Sequence, residues 1–336
     1  MQDADFQQGF FDHLKPLIAP HKSLVHEISD MLNISLDSAY RRIRGEKIIN
    51  LNEIRKICEY FQLSLDQLLN LNTKAILFHG KLNNSGPDRF QVWLEDMLLQ
   101  LEMVNRYKEK HVYFLLKDIP PFYHFYHPEL AAFKFFFWMK SILHYDELKD
   151  QVFDSSVHRY PNLYHLGLQI TKLYNQIPCT EIWNPDNIQT TLRQIELYEE
   201  MGNFVRQEDS KILYQQVLEM IEHIEQQAES GLKFGMHGHP DESSGTFRLL
   251  TNQFILGDNT FMAELDGQRI TYLNHSVIYF LGSFDPNLND TMFKSLDNLI
   301  RKSTLISSVG EKERYRFFRN MKAQIGEKLN RFEIIP

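Results

Sequence analysis

The first seventy residues carry a helical rhythm. Phe6, Phe10, Phe11, Leu14, Leu17 and Ile18 recur at helical spacing and predict a first helix, which Pro16 kinks or restarts. Ser23 stands as a cap before Leu24, Ile28 and Leu32, the apolar face of a second helix. Asn33-Ile34-Ser35 breaks the pattern; Ser35 caps a third helix over Leu36 to Ile43, and Gly45 ends it. Asn50 and Glu53 form a capping-box pair before Leu51, Ile54, Ile57, Cys58 and Phe61. Ser64 and Gln67 repeat the pair before Leu65, Leu68 and Leu69. The pattern therefore predicts five short helices in one small domain.

After Leu71 the rhythm loosens. Lys74 to His79 predicts a short strand and Asn83 to Asp88 a turn, so residues 72–88 read as a linker. Helices are then expected around Phe90 to Leu101, Glu129 to Leu143 and Pro161 to Gln176. Another opens at Asn184-Pro185 and ends near Gly202, and a long one runs from Gln207 to Ser230. Val112 to Leu116 predicts a strand. The period then changes to two: Phe247 to Leu256, Thr260 to Leu265, Gln268 to Leu273 and Ser276 to Leu281 read as strands, with Asp266-Gly267 as a hairpin turn. Helices over Asn289 to Lys302 and Glu311 to Phe332 close the chain. The expected architecture is mainly α with an α+β C-terminal part. It comprises an N-terminal domain over residues 1–71, the linker 72–88, and a helix-rich domain with a small antiparallel sheet over residues 89–336.

Composition narrows the class. Hydrophobic residues make up 43% and charged residues 24% of the 336, which excludes wholesale disorder. Two cysteines, Cys58 and Cys179, exclude a disulfide-stapled domain. The densest apolar run, Leu130 to Leu143, falls short of the ~20 residues of a membrane span and is interrupted by Lys134 and Lys140. The acidic N-terminus lacks the apolar core of a secretion signal, so a cytoplasmic location is expected.

A net charge of −8 argues against the whole chain as a polyanion binder, but charge is distributed unevenly. Arg41, Arg42, Arg44 and Lys47 stand within seven residues against Glu46 alone. They sit at the end of a pattern suited to a helix-turn-helix. Leu24, Ile28 and Leu32 form the first helix's apolar face, Ile34 plugs the turn, and Ala39 and Ile43 anchor the second helix. Ser35, Leu36, Asp37, Ser38, Arg41 and Arg42 fall at the second helix's N-terminus or outer side, the part that meets base edges. Arg41 and Arg42 could each read guanine. Only one can point straight in, and Arg41 is favoured, with Arg42 left for the backbone or for packing over the domain. Arg44, Lys47 and Lys22 suit phosphates. Ser35 and Ser38 can reach a phosphate or base, Asp37 can accept from cytosine or orient an arginine, and Tyr40 can pack on the sugar-phosphate backbone. The alternative is an ordinary helical domain with a solvated arginine cluster.

This segment resembles the Cro/repressor-type (XRE-like) helix-turn-helix regulators. The Ile-Ser turn, the Arg44-Gly45 ending, and the sequel Leu51-Asn52-Glu53-Ile54-Arg55-Lys56-Ile57 to Leu63-Ser64-Leu65-Asp66-Gln67-Leu68-Leu69 match that pattern over residues 5–70. It departs where many members carry alanine, here Glu27-Ile28-Ser29, and where many carry Gln or Thr, here Leu36-Asp37. The resemblance implies a five-helix Cro/repressor-like domain in a bacterial transcriptional regulator whose partner is double-stranded DNA. The long aromatic-rich remainder is similar to uncharacterised bacterial regulators.

Other constellations are weaker. His237-Gly238-His239 with Asp241 and Glu242 lacks further ligands at familiar spacing, and His124 and His127 read as core or surface histidines. His79-Gly80-Lys81 lacks the aspartate that a phospholipase-type motif needs. No nucleophile elbow, P-loop or dinucleotide fingerprint is present. No metal, cofactor or catalytic residue is therefore expected. Tyr123, Tyr126, Phe133, Phe137 and Trp138 belong to an aromatic segment best read as core. A ligand pocket or dimer interface is the alternative. The expected function is a regulator that binds a near-palindromic operator as a homodimer, with a C-terminal dimerisation or effector-sensing domain. The alternatives are an enzyme tethered to DNA and an antitoxin-type interaction module.

Overall fold

The computed structural model describes residues 3–15, 18, 23–61, 65, 76–80, 88–157, 159–253, 259–276 and 278–332. The chain divides into two compact units, residues 1–77 and 78–336.

The first unit contains α1 (Asp3–Leu14), α2 (Leu24–Leu32), α3 (Leu36–Ile43) and α4 (Leu51–Phe61). Phe10, Phe11 and Leu14 of α1, Ile28 and Leu32 of α2, Ala39 of α3 and Ile57 of α4 form its buried core, with Ile34 packed against it. Asn33 ends α2 in the left-handed conformation (φ 53°), and Ser35 caps α3 by accepting from the Ser38 amide at 3.2 Å. The Asn50–Glu53 capping box forms in both directions, at 3.0 and 3.1 Å. The expected helix from Ser64, the Pro16 kink, Lys22, the first residues of the Lys74 to His79 strand and most of the predicted linker lie outside the described residues.

The second unit is built on a sheet of seven strands among the described residues: β1 (Lys110–Leu115), β2 (Cys179–Trp183), β3 (Phe247–Thr251), β4 (Thr260–Leu265), β5 (Gln268–Asn274), β6 (Phe280–Ser283) and β7 (Thr304–Leu305). Their order is β6-β5-β4-β1-β2-β3-β7. This corrects the expectation of a small antiparallel sheet. β1, β2 and β3 run parallel at the centre, and antiparallel strands flank them on both sides. The parallel pairs require crossovers. α6 (Pro121–His124), α7 (Pro128–Phe137) and α8 (Pro161–Tyr174) connect β1 to β2, and α9 (Gln189–Glu200) and α10 (Gln207–Ser230) connect β2 to β3.

The sheet has two unequal sides. Val112, Phe114, Cys179, Trp183, Phe247 and Leu249 face the main core, which also takes in α5 (Arg89–Arg106) and α12 (Glu311–Asn330). Ile182, Leu250 and Met262 face the other way, against Phe293 and Leu296 of α11 (Pro286–Arg301). β2 is buried at every position and went unrecognised in the pattern, because Thr180 and Glu181 interrupt what would otherwise be an apolar run.

The predicted helix from Glu129 to Leu143 is α-helical only to Phe137. A π-helical turn (Trp138–Ile142) follows, in which the Leu143 amide donates to the Trp138 carbonyl at 2.9 Å. The strand expected over Ser276 to Leu281 lies later, at Phe280–Ser283. The helix expected from Asn184 starts at Gln189, after a turn in which Asn187 accepts from the Asn184 amide. Tyr123, Phe133, Phe137 and Trp138 are at most 7% exposed. The chain's own elements pack around them in the main core of the second unit. Among the described residues no helix is long and apolar enough to cross a membrane.

Candidate nucleic-acid interface

α2 and α3 are joined by the short turn Asn33-Ile34-Ser35. Ser29 lets the turn close tightly against α2: its hydroxyl donates to the Ile34 carbonyl at 2.6 Å. Ala39 is fully buried, so the small side chain sits where α3 packs on the core. These contacts orient the rest of α3.

The helix sorts its residues sharply. Leu36 and Tyr40 are each 46% exposed, and Asp37, Arg41, Arg44 and Lys47 are also on the surface. Arg42 is not: it is 5% exposed. Its guanidinium donates to both carboxylate oxygens of Glu53 on α4, at 2.7 and 3.1 Å, and to the hydroxyl and carbonyl of Ser38 at 2.6 and 3.2 Å. That arrangement removes Arg42 from the set of outward-facing arginines and makes it a tie between α3 and α4. It also occupies Ser38, and Ser35 is occupied as the cap. The Arg42 guanidinium, with help from the Asn50 amide, holds the Glu53 carboxyl below its ordinary pKa despite partial burial. Periodicity carried a signal for this: Ala39 and Arg42 stand three apart on one helical face, and Ala39 is the buried anchor.

The surface cations have local partners. Arg44 lies over the Tyr40 ring at 4.4 Å and donates to its hydroxyl at 3.2 Å. Glu46 sits 3.9 Å from Arg41 and 3.6 Å from Arg44, so one acid faces both. Gln7 of α1 orders the segment that follows. Its amide donates to the carbonyls of Arg42 (2.7 Å) and Lys47 (2.8 Å) and accepts from the Ile49 amide (3.0 Å). Gly45 makes the intervening turn in the left-handed conformation, φ 75°. The contacts of Gln7 and Glu46 and the Arg42–Glu53 pair lie between helices or across a turn, where residue spacing carries no signal for them. Lys22 lies outside the described residues.

Elsewhere, Tyr126 is half-buried and lines a cleft of the second unit. The His237-Gly238-His239 loop is exposed, and among the described residues no three His, Cys, Asp or Glu side chains are grouped to hold a metal ion. His124 and His127 are buried, as is Cys179, whose thiol burial pushes up to about 12.

The family model of the BetR domain matches residues 12–102. This is a helix-turn-helix-type domain associated with regulators, and the match points to a DNA-binding regulatory role. It covers α2, α3 and α4 and continues into α5 of the second unit. No curated protein and no solved structure matches the chain significantly.

Proposed function

We propose that the chain is a sequence-specific transcriptional regulator of the Cro/repressor type that reads double-stranded DNA with the open face of α3. The observation that carries this reading is the division of labour between two adjacent arginines. Arg42 is locked to Glu53 and Ser38, while Arg41 stays on the surface beside Leu36, Asp37 and Tyr40. In a major groove Arg41 is the base reader, paired with guanine O6 and N7 for about 1–3 kcal/mol of discrimination. Leu36 is placed to meet a thymine methyl. Arg44 and Lys47, beyond the helix end, contact phosphates.

One such helix makes few base contacts. Two copies spaced one helical turn apart supply the rest, so we assign a homodimer on a near-palindromic operator. In this reading residues 1–71 bind DNA and the C-terminal domain dimerises or senses an effector. Neither part is catalytic, and the protein works in the cytoplasm.

Selection from a random duplex library, with wild type and Arg41→Ala in parallel, tests the reading. Wild type is expected to enrich a two-fold-symmetric site with steep salt dependence, and Arg41→Ala to lose it. Equal enrichment by both proteins, or none by wild type at low salt, overturns it.

A further inference from the structure

The chain enters the second unit along the outer edge of the sheet. β6 is the last strand on that side and pairs inward with β5. Its outer edge takes up a residue of the segment that precedes α5. The His79 amide donates to the Gly282 carbonyl at 2.7 Å, and the Gly282 amide donates back to the His79 carbonyl at 2.8 Å. The two residues form an isolated antiparallel bridge. Of the strand expected over Lys74 to His79, this bridge is what the described residues retain.

The next residue shows how closely the two segments lie. A Cβ on Gly80 would stand 2.7 Å from the Phe280 carbonyl oxygen and 2.6 Å from the Leu281 side chain. Only a residue without a side chain fits there. The His79 ring adds an edge contact to Phe284, with centroids 6.0 Å apart.

The attachment is narrow. Two backbone hydrogen bonds and this ring contact hold His79, whereas β5 and β6 pair from Thr271 to Asn274. Ile76 and Leu77, just before it, are 46% and 36% exposed and bury little apolar surface to lock it. Edge pairings with so few buried contacts open more readily than the body of a sheet.

Position gives that opening a consequence. His79 lies just past the first unit, residues 1–77, and α5 begins only at Arg89. While the bridge holds, residues 80–88 lie beyond the anchor and add nothing to the reach of the first unit. Once it opens they join the tether. A stretch of about nine residues adds up to about 30 Å when extended, close to the roughly 34 Å between half-sites one helical turn apart.

We propose that residues 76–80 are a detachable strap. Docked on β6 they keep the tether of the first unit short, and released they lengthen it. The strap rests on the contacts above. Its effect on operator spacing rests also on the DNA-binding reading.

The test uses the full chain with two variants. Gly80→Val cannot seat against Phe280 and Leu281, and His79→Pro removes the amide that donates to Gly282. Gly80 is exposed, and both positions lie outside the first unit, so α3 is untouched. Hydrogen exchange reads the bridge: the Gly282 amide should exchange at least about tenfold faster in both variants. Small-angle scattering reads the tether: the maximum dimension should rise by about 10–30 Å. Unchanged exchange at Gly282 overturns the proposal, as does an unchanged maximum dimension once that amide has lost protection. Duplexes with half-sites one and two helical turns apart read the consequence for DNA. Wild type should favour one spacing, and the variants should discriminate at least about fivefold less. Equal discrimination despite a longer tether would sever the strap from operator choice. Absence of DNA binding by wild type would sink the regulator reading and leave exchange and scattering to decide the strap.

Discussion

The guanidinium of Arg42 grips both carboxylate oxygens of Glu53, at 2.7 and 3.1 Å, while the neighbouring Arg41 points to solvent. Two arginines adjacent in sequence therefore have different physical tasks. The buried pair joins α3 to α4, with side-chain exposures of 6% and 15%. Removing one partner strands the other in a poorly solvated site. Arg42→Ala or Glu53→Ala should thus destabilise the first unit by about 3–5 kcal/mol. Arg41→Ala should change stability by less than about 0.5 kcal/mol while abolishing site-specific DNA binding. Denaturant unfolding of the variants checks the contrast; similar losses in Arg41→Ala and Arg42→Ala would refute it.

Glu46 faces both Arg41 and Arg44. In the free protein it draws both cations toward itself, and its charge opposes an approaching phosphate backbone. Glu46→Gln should raise affinity for random-sequence duplex several-fold at low salt, with the gain fading as salt rises. Fluorescence-anisotropy titrations across a salt series measure both effects. An unchanged or weakened affinity would show that Glu46 does not restrain the two arginines.

Gln7 makes three hydrogen bonds to the backbone of the segment after α3. Gln7→Ala leaves two carbonyls and one amide to find water instead, at a cost of about 1–3 kcal/mol. Hydrogen exchange should quicken at Ile49, whose amide loses its acceptor. Unaltered exchange at that amide would mean the turn holds its shape without α1.

His127 is buried, and its pKa is held down to about 4, chiefly by desolvation and further by His223 and His237. Glu219 lies 3.5 Å away but is 57% exposed, too well solvated to offset burial. The unfolded chain takes up this proton near pH 6.5 and the folded chain only near 4. The unfolded state thus binds more protons in that window, and stability falls as pH drops through it. Between about pH 6.5 and pH 5 this histidine alone should cost about 1–2 kcal/mol. His111, also held down to about 4 by burial, adds in the same direction. Denaturant midpoints across the range should slope less steeply in His127→Gln than in wild type.

Much of the first unit was legible from local rules. Ser35, Asn50 and Glu53 cap where the pattern placed them, Gly45 takes the left-handed turn, and Ala39 is buried at the helix crossing. Each of these depends on residues within about one helical turn of one another, which is the range over which side-chain spacing carries information.

This set of helices and caps, the arginine cluster, and the alternating strands around Asp266-Gly267 follow from the residue pattern alone. The tertiary structure alone decided three further things. It placed β2 between β1 and β3, although Val112 and Cys179, paired in register, lie far apart in the chain. It buried Glu181 in that strand by supplying Tyr123, Tyr174 and Trp183 as donors, which no periodicity announces. It brought Glu53 of α4 to the guanidinium of Arg42. The reason is common to all three. Parallel pairing and the satisfaction of a buried charge are long-range conditions, met by groups brought together only when the chain has folded.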